Sequence, residues 1–327
     1  MNNLFFLSPD DNSPVGGIKV LYRHVDLLNR NGFQAAIVHK KKGFRCTWFE
    51  NQTRVEYRQN LQPDPFDFAV IPEIHGPRLA EMVPLAKKVI FNQNAYLTFR
   101  EYSFDPQDLT TAYRDPGVVA ALVVSEDSRR YLSYVFPELK VFRVHLGVDV
   151  ARFRFRELAQ KRRQIAFMVR KHVEDARQVI NILKFRGALD GWEIAAIENL
   201  KESEVAQVLE ESLVFLSFGY PEGCPAPPIE AMLCGCLVAG YHGNGGREVL
   251  RPEISWPVEA GDILGFAHIT ENLLRQVHAS PSDLSRKAVE AREFVSREYS
   301  MERERRDVLK FWDEVMFEQG HDAIAEA

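Results

Sequence analysis

Short apolar runs alternate with helix-length segments along almost the whole chain, and this rhythm constrains the fold more than any other feature. Antiparallel strands can be joined by two residues, whereas parallel strands need a crossover of a dozen or more. Long spacers between short runs therefore predict an α/β fold built on parallel sheets with crossover helices. In the first half the predicted strands are Asn3–Leu7, Ala35–His39, Phe68–Pro72, Lys88–Asn92, Ala120–Val124 and Lys140–Val144, with a helix over Gly17–Asn31. The second half offers strands at Ile165–Val169, Trp192–Ile197, Leu213–Ser217, Cys236–Gly240 and Ile254–Pro257. Helices are predicted there over Glu174–Phe185, Lys201–Glu211, Pro227–Cys234 and Asp262–His278, and helix continues from Pro281 onward.

The two sets are separated by a change of texture. Residues 151–163 carry six basic side chains and one acidic one with little apolar periodicity, which reads as a linker. The chain has 327 residues, beyond the ~100–200 of one ordinary domain, so two Rossmann-like domains are expected. The division predicted is 1–150, a basic linker over 151–163, a second domain over 164–299, and a C-terminal helix over 300–327 that crosses back to the first domain.

Charge and cysteine usage exclude other classes. With 41 basic and 46 acidic residues the net charge is −5, which argues against nucleic-acid binding driven by charge. For the basic run at 151–163, peripheral contact with an anionic acceptor or a membrane surface is the alternative to a solvated linker. Three of the four cysteines, Cys224, Cys234 and Cys236, crowd into one apolar segment, which fits buried thiols in a reducing compartment better than a disulfide framework. Met1–Leu7 lacks the basic flank of a signal peptide, so a cytoplasmic protein is expected. No Asp-x-Asp, His-x-His or His-Glu-x-x-His pattern occurs, so no built-in metal is expected.

Chemistry concentrates in the segment from Phe218 to Met232, a Gly- and Pro-rich loop that follows a strand and enters a helix. Loops at the C-terminal ends of parallel strands are where such folds bind ligands, and a helix start offers N–H groups to anions. Glu222 lies on the loop and Glu230 on the helix, whose first turn is predicted to hold both Pro228 and Glu230. The loop carboxylate can then meet the reacting end of a ligand while the other accepts hydrogen bonds from its hydroxyls; an exposed loop acid and a helix-start acid are the plain alternatives. Gly16-Gly17 after the first strand is either a phosphate-facing turn or a simple strand-to-helix turn, and Gly245-Gly246 presents the same choice.

The series Glu222-Gly-x-x-x-Pro-Pro-x-Glu230-Ala-Met, then Cys234-Gly-Cys236 and Gly245-Gly246-x-x-Glu248, resembles the Glu-(seven residues)-Glu motif of retaining GT-B glycosyltransferases, the group 1 or family 4-like enzymes. The resemblance is strong over 213–250 and extends weakly over most of the chain, through Gly16-Gly17, Gly147-Val148-Asp149 and Arg170-Lys171. It implies two Rossmann-like domains facing across a cleft and a nucleotide-diphosphate sugar, UDP- or GDP-linked, as donor, with no cofactor or metal. The acceptor would be a hydroxyl of a glycan, lipid or small molecule. By the same resemblance Glu230 would hold the donor ribose, Glu222 would contact the sugar, Arg170 and Lys171 would neutralise the leaving diphosphate, and Gly16-Gly17 would close over that phosphate. The amides of Gly223, Cys224, Gly245 and Gly246 are further donor contacts, with His75, Gln93 and Asn94 as candidates for sugar or acceptor. Two departures stand out: Arg170 and Lys171 are adjacent where the family spaces them, and Pro225 has no N–H where the family presents amides. They leave open a non-catalytic nucleotide- or sugar-binding module, beside another sugar-nucleotide enzyme of this fold.

Overall fold

The structure is a computed structural model that describes residues 2–325, with side chains throughout except at His278 and over 320–325. The chain forms two compact units, Met1–His145 with Glu304–Ala327, and Leu146–Arg303. Both are parallel α/β sheets, as the alternating pattern predicts.

The first unit holds β1 (Asn3–Leu7), α1 (Gly16–Arg30), β2 (Gln34–His39), β3 (Val55–Tyr57), β4 (Phe68–Pro72), β5 (Lys87–Asn92), β6 (Val118–Val123), α2 (Glu126–Val135) and β7 (Val141–Arg143). The sheet order is β3-β2-β1-β4-β5-β6-β7, all parallel. Strand β3 was not legible in the sequence: three residues, half-exposed at the sheet edge, produce no apolar run. Helix α1 buries Ile18, Leu21, Val25 and Leu28, a spacing of three and four that lays one face on the sheet. The C-terminal part of α8 (Met301–Ala325) belongs to this unit and buries Val308, Phe311, Trp312 and Val315 at the same spacing. Trp312 meets Phe68 edge to face at 5.5 Å, and buried Glu304 takes Arg23 Nη2 at 2.6 Å. Burial pushes the Glu304 carboxyl upward, but the Arg23 charge and the His24 contact outweigh it and leave it below the ordinary range.

The second unit holds β8 (Arg162–Met168), α3 (Val173–Phe185), β9 (Glu193–Ile197), α4 (Glu202–Glu211), β10 (Ser212–Ser217), α5 (Ala226–Leu233), β11 (Leu237–Tyr241), β12 (Trp256–Val258), α6 (Ile263–Ala279) and α7 (Pro281–Glu298). Its order is β12-β11-β10-β8-β9. Alternate strand residues face opposite sides: Ala166, Phe215 and Val238 enter one apolar cluster, Ile165, Val214 and Leu237 the other. Phe153 is buried in the first of these clusters.

The basic run, predicted as a solvated linker, is exposed over most of its length but has specific partners. Arg162 and Arg163 open β8, Arg152 pairs with Glu202, and Arg154 and Arg156 reach Glu210 at 3.8 and 4.0 Å. Buried Lys161 donates to the carbonyls of Leu209 and Glu210, both at 2.9 Å, closing the C-terminal end of α4. Most of the run is exposed, which accounts for its weak apolar periodicity, while its arginines also answer the acidic residues of α4. Among the described residues no helix is long and apolar enough to cross a membrane.

Candidate functional site

Each sheet has a point where consecutive strands leave in opposite directions, and ligands of open α/β folds bind in the crevice beyond the strand ends there. In the second unit that point lies between β8 and β10. The loop after β8 carries Arg170 and Lys171, and the loop after β10 carries Glu222. Lys171 Nζ donates to Glu222 Oε1 at 2.6 Å, with the two side chains 36% and 22% exposed. One residue further, His172 adopts a left-handed conformation (φ 50°) as the N-cap of α3, and its Nε2 donates to the Tyr220 carbonyl at 2.5 Å. Two contacts therefore fasten one loop to the other across the switch point. Arg170 is exposed, and among the described residues it has no hydrogen-bond or ion-pair partner.

The two helix starts at this crevice have few N–H groups or little positive potential to offer an anion, although the Gly- and Pro-rich loop suggests such a site at α5. A helix leaves about four N–H positions open at its start. At α5 three of them are Pro225, Pro227 and Pro228, which have no N–H, so only Ala226 remains. At α3 the first turn already contains Glu174 and Asp175, which oppose the positive end of the helix. Glu230 lies in the second turn of α5 rather than the first, because the helix opens at Ala226, and it is half-buried.

Gly245 and Gly246 are placed beside Glu222, but their amides are engaged inside the protein. Gly245 N–H donates to Glu222 O at 3.1 Å and Gly246 N–H to His242 O at 2.9 Å. Their lack of side chains has a packing cause: a Cβ on Gly245 would fall 1.8 Å from the Gly223 carbonyl oxygen, and one on Gly246 2.5 Å from Pro225 Cγ. Glu222 N–H in turn donates to Gly243 O at 2.7 Å, so the glycine loop holds the backbone of Glu222 from both sides. Gly223 is buried and Cys224 half-buried on the same loop. Glu248, the last residue of the motif, accepts from the Tyr299 hydroxyl at 3.3 Å.

Nearby, His242 Nδ1 accepts the Asn244 N–H at 3.0 Å, while Nε2 lies 3.2 Å from Glu259 Oε1. The contact with His242, and after it the Arg247 charge, hold the Glu259 carboxyl below its ordinary range. Burial raises the thiol pKa of Cys234 and Cys236, and Cys236 Sγ donates to Leu209 O at 3.1 Å, so both behave as packed, protonated thiols. Among the described residues no cluster of three or more His, Cys, Asp or Glu is placed to hold a metal ion.

In the first unit the switch point lies between β1 and β4. Gly16-Gly17 opens α1 there, His75 stands in the turn after β4, and Gln93 and Asn94 follow β5. Gln93 Nε2 donates to the Gly17 carbonyl at 3.2 Å, and Asn94 Oδ1 accepts the Tyr96 N–H as a local cap. The residue that joins this group was missed from the sequence. Glu73 is 3% exposed, and its carboxylate accepts the backbone N–H groups of Gln93 and Asn94 at 3.2 and 3.0 Å. Burial pushes its carboxyl up to about 7, against the pull of those bonds. A lone Glu after an apolar strand gives no signal of burial; only its position at the strand end hinted at it. Burial, with a smaller push from Arg58, lowers the His75 pKa and keeps the ring neutral, and His75 Nε2 is buried without a hydrogen-bond partner.

Two parallel Rossmann-like sheets, each with its switch point, make an α/β fold that solved glycosyltransferase structures of the GT-B type share. No family model and no curated protein sequence matches the chain. A sucrose-phosphate synthase from Thermosynechococcus elongatus superimposes with a TM-score of 0.65 at 12% identity, covering 100% of each chain. A glycosyltransferase from Rickettsia africae gives 0.67 at 12% identity, over 96% of this chain and 98% of that one. HepE from Anabaena, solved in complex with UDP, gives 0.63 at 10% identity over 100% of each. At such identities the likeness shows the fold.

Proposed function

We propose that the chain is a retaining glycosyltransferase that moves a sugar from a nucleotide-diphosphate sugar to an acceptor hydroxyl without a divalent ion. The observation that carries this reading is the 2.6 Å contact between Lys171 and Glu222 at the β8–β10 switch point, beside the unpartnered Arg170. A carboxylate and two cations at one crevice suit a ligand with a hydroxyl-bearing end and an anionic end. HepE has been solved with UDP and with UDP-glucose, which supports a donor of this class.

In the reaction the bond between the sugar's anomeric carbon and the diphosphate oxygen breaks, and the diphosphate leaves with the electron pair. The acceptor oxygen bonds to the same face of that carbon, and its proton passes to an oxygen of the leaving phosphate. Negative charge grows on the leaving group, so fixed cations in a crevice lower the barrier more than they tighten ground-state binding. Glu222 faces the sugar as it becomes cationic, and half-buried Glu230 accepts from the donor ribose. The Gly223 and Cys224 backbone lines the same loop.

The test is transfer assayed with UDP- and GDP-sugars, with the anomeric configuration of the product read by NMR and the rate compared with and without EDTA. Retention at an EDTA-insensitive rate is expected; inversion, or abolition by EDTA, would sink the mechanism. Binding of UDP or GDP with neither transfer nor hydrolysis would favour a non-catalytic module, a reading that the proline-stripped start of α5 supports.

A further inference from the structure

The adjacent cations Arg170 and Lys171 look redundant in sequence, but the structure places them in unlike circumstances. Lys171 is engaged at 2.6 Å with Glu222, and its neighbour His172 is fastened to the Tyr220 carbonyl. The segment is therefore pinned at two consecutive residues to the loop that carries Glu222. Arg170, one position earlier, is exposed and among the described residues unpaired. Neither helix start at the crevice offsets this difference: α5 has lost three of its opening N–H groups to proline, and α3 carries Glu174 and Asp175 in its first turn.

We infer that the two residues divide the work: Arg170 alone carries the diphosphate of the donor, and Lys171 is a positioning residue that orients Glu222. The inference rests on the donor reading above and assigns roles within it. Lys171 Nζ spends one of its three donors on Glu222, and shifting it wholly onto phosphate would leave that half-buried carboxylate without its partner, so its reach is set by Glu222. Arg170 gives up only solvent, and its planar fork suits two phosphate oxygens at once. Kept on Glu222, Lys171 fixes the carboxylate oxygen and leaves the other free to face the sugar.

The experiment measures UDP and GDP affinity by calorimetry, and kcat and KM for transfer, in the wild type and in Arg170→Ala, Lys171→Met, Lys171→Arg, Glu222→Gln and the double variant Lys171→Met/Glu222→Gln. Loss of a charge-assisted contact to phosphate should weaken nucleoside diphosphate binding about ten-fold or more in Arg170→Ala. Lys171→Met should leave that affinity within about two-fold, because the residue does not touch phosphate, while lowering kcat. Lys171→Arg should recover much of kcat, and the double variant should be no slower than Glu222→Gln alone, since both changes break one contact. Equal weakening of nucleoside diphosphate binding by Arg170→Ala and Lys171→Met would overturn the division of labour while leaving the donor reading standing. A wild type that binds neither UDP nor GDP would instead overturn the donor reading, and this inference with it.

Discussion

The two switch points are built from the same topology but stabilised by different means. In the second unit the crevice is formed by charge: Lys171 meets Glu222 at 2.6 Å, and the neighbouring Arg170 is exposed, with no partner among the described residues. The backbone beneath is fixed by glycines packed at distances no side chain allows. In the first unit the equivalent place is organised by a buried carboxyl, Glu73, which holds the Gln93 and Asn94 amides, and by the Gln93 bond to Gly17. One end displays its ionisable groups, and the other buries a carboxyl to shape a loop. The fold alone does not decide which strand-end crevice handles charge; the local answer lies in whether the carboxylate is left half-exposed with a cation or enclosed among amides.

The comparison is broken most severely at Gly245. A methyl there would meet the Gly223 carbonyl oxygen, a backbone atom that cannot swing aside, so Gly245→Ala is expected to cost about 3 kcal/mol or more. Thermal melting should fall, and transfer should be lost with it because the Gly245 N–H no longer supports Glu222 O. A variant that melts like the wild type would show that the loop is not close-packed. Next in size, Glu222→Gln keeps the shape of the loop and removes its charge, so kcat should drop by about 10²–10³ with melting little changed. Wild-type turnover in that variant would remove Glu222 from the site.

Much of this was legible in the sequence, and what was not has identifiable causes. Strands β1 and β4 carry the predicted bounds because each is an uninterrupted apolar run between polar turns. The Glu222 loop stood out because a Gly- and Pro-rich stretch broke the rhythm. Three things were hidden. The strand β3 is too short and too exposed to leave a pattern. The basic run owes its order to partners on α4 some fifty positions away, as Arg152 with Glu202 shows, and local composition cannot report them. Gly245 and Gly246 read equally as a phosphate-facing turn or a plain turn, and only their neighbours in space, Gly223 and Pro225, show why neither carries a side chain.

The first unit yields a third prediction, from Glu73. Its pKa in the folded chain, about 7, lies above the ordinary carboxylate value of 4.5, so between those values the folded state holds a proton that the unfolded state has lost. Stability from this group is therefore full below pH ~4.5, declines as pH rises, and is lost once pH passes about 7, an effect on the order of 3 kcal/mol. Glu73→Gln cannot ionise, so its melting temperature relative to wild type should climb as pH goes from 5 to 8. A constant difference across that range would show that Glu73 is not enclosed as described.

The smallest effect is expected at Gly16, and it is the most discriminating. A Cβ there meets nothing within 4 Å, and α1 needs no glycine at its first position, so Gly16→Ala should change stability by less than about 1 kcal/mol. If the residue only turns the chain, transfer should be untouched as well. If the first unit's own strand-end crevice takes a ligand, a methyl placed in that open space would hold it off, so KM for that substrate should rise by about five-fold, equivalent to ~1 kcal/mol, at unchanged melting temperature. Gly245 would then be glycine because the protein fills the space beside it, and Gly16 because the ligand does. Unchanged KM in Gly16→Ala would confine the ligand-facing chemistry to the second unit.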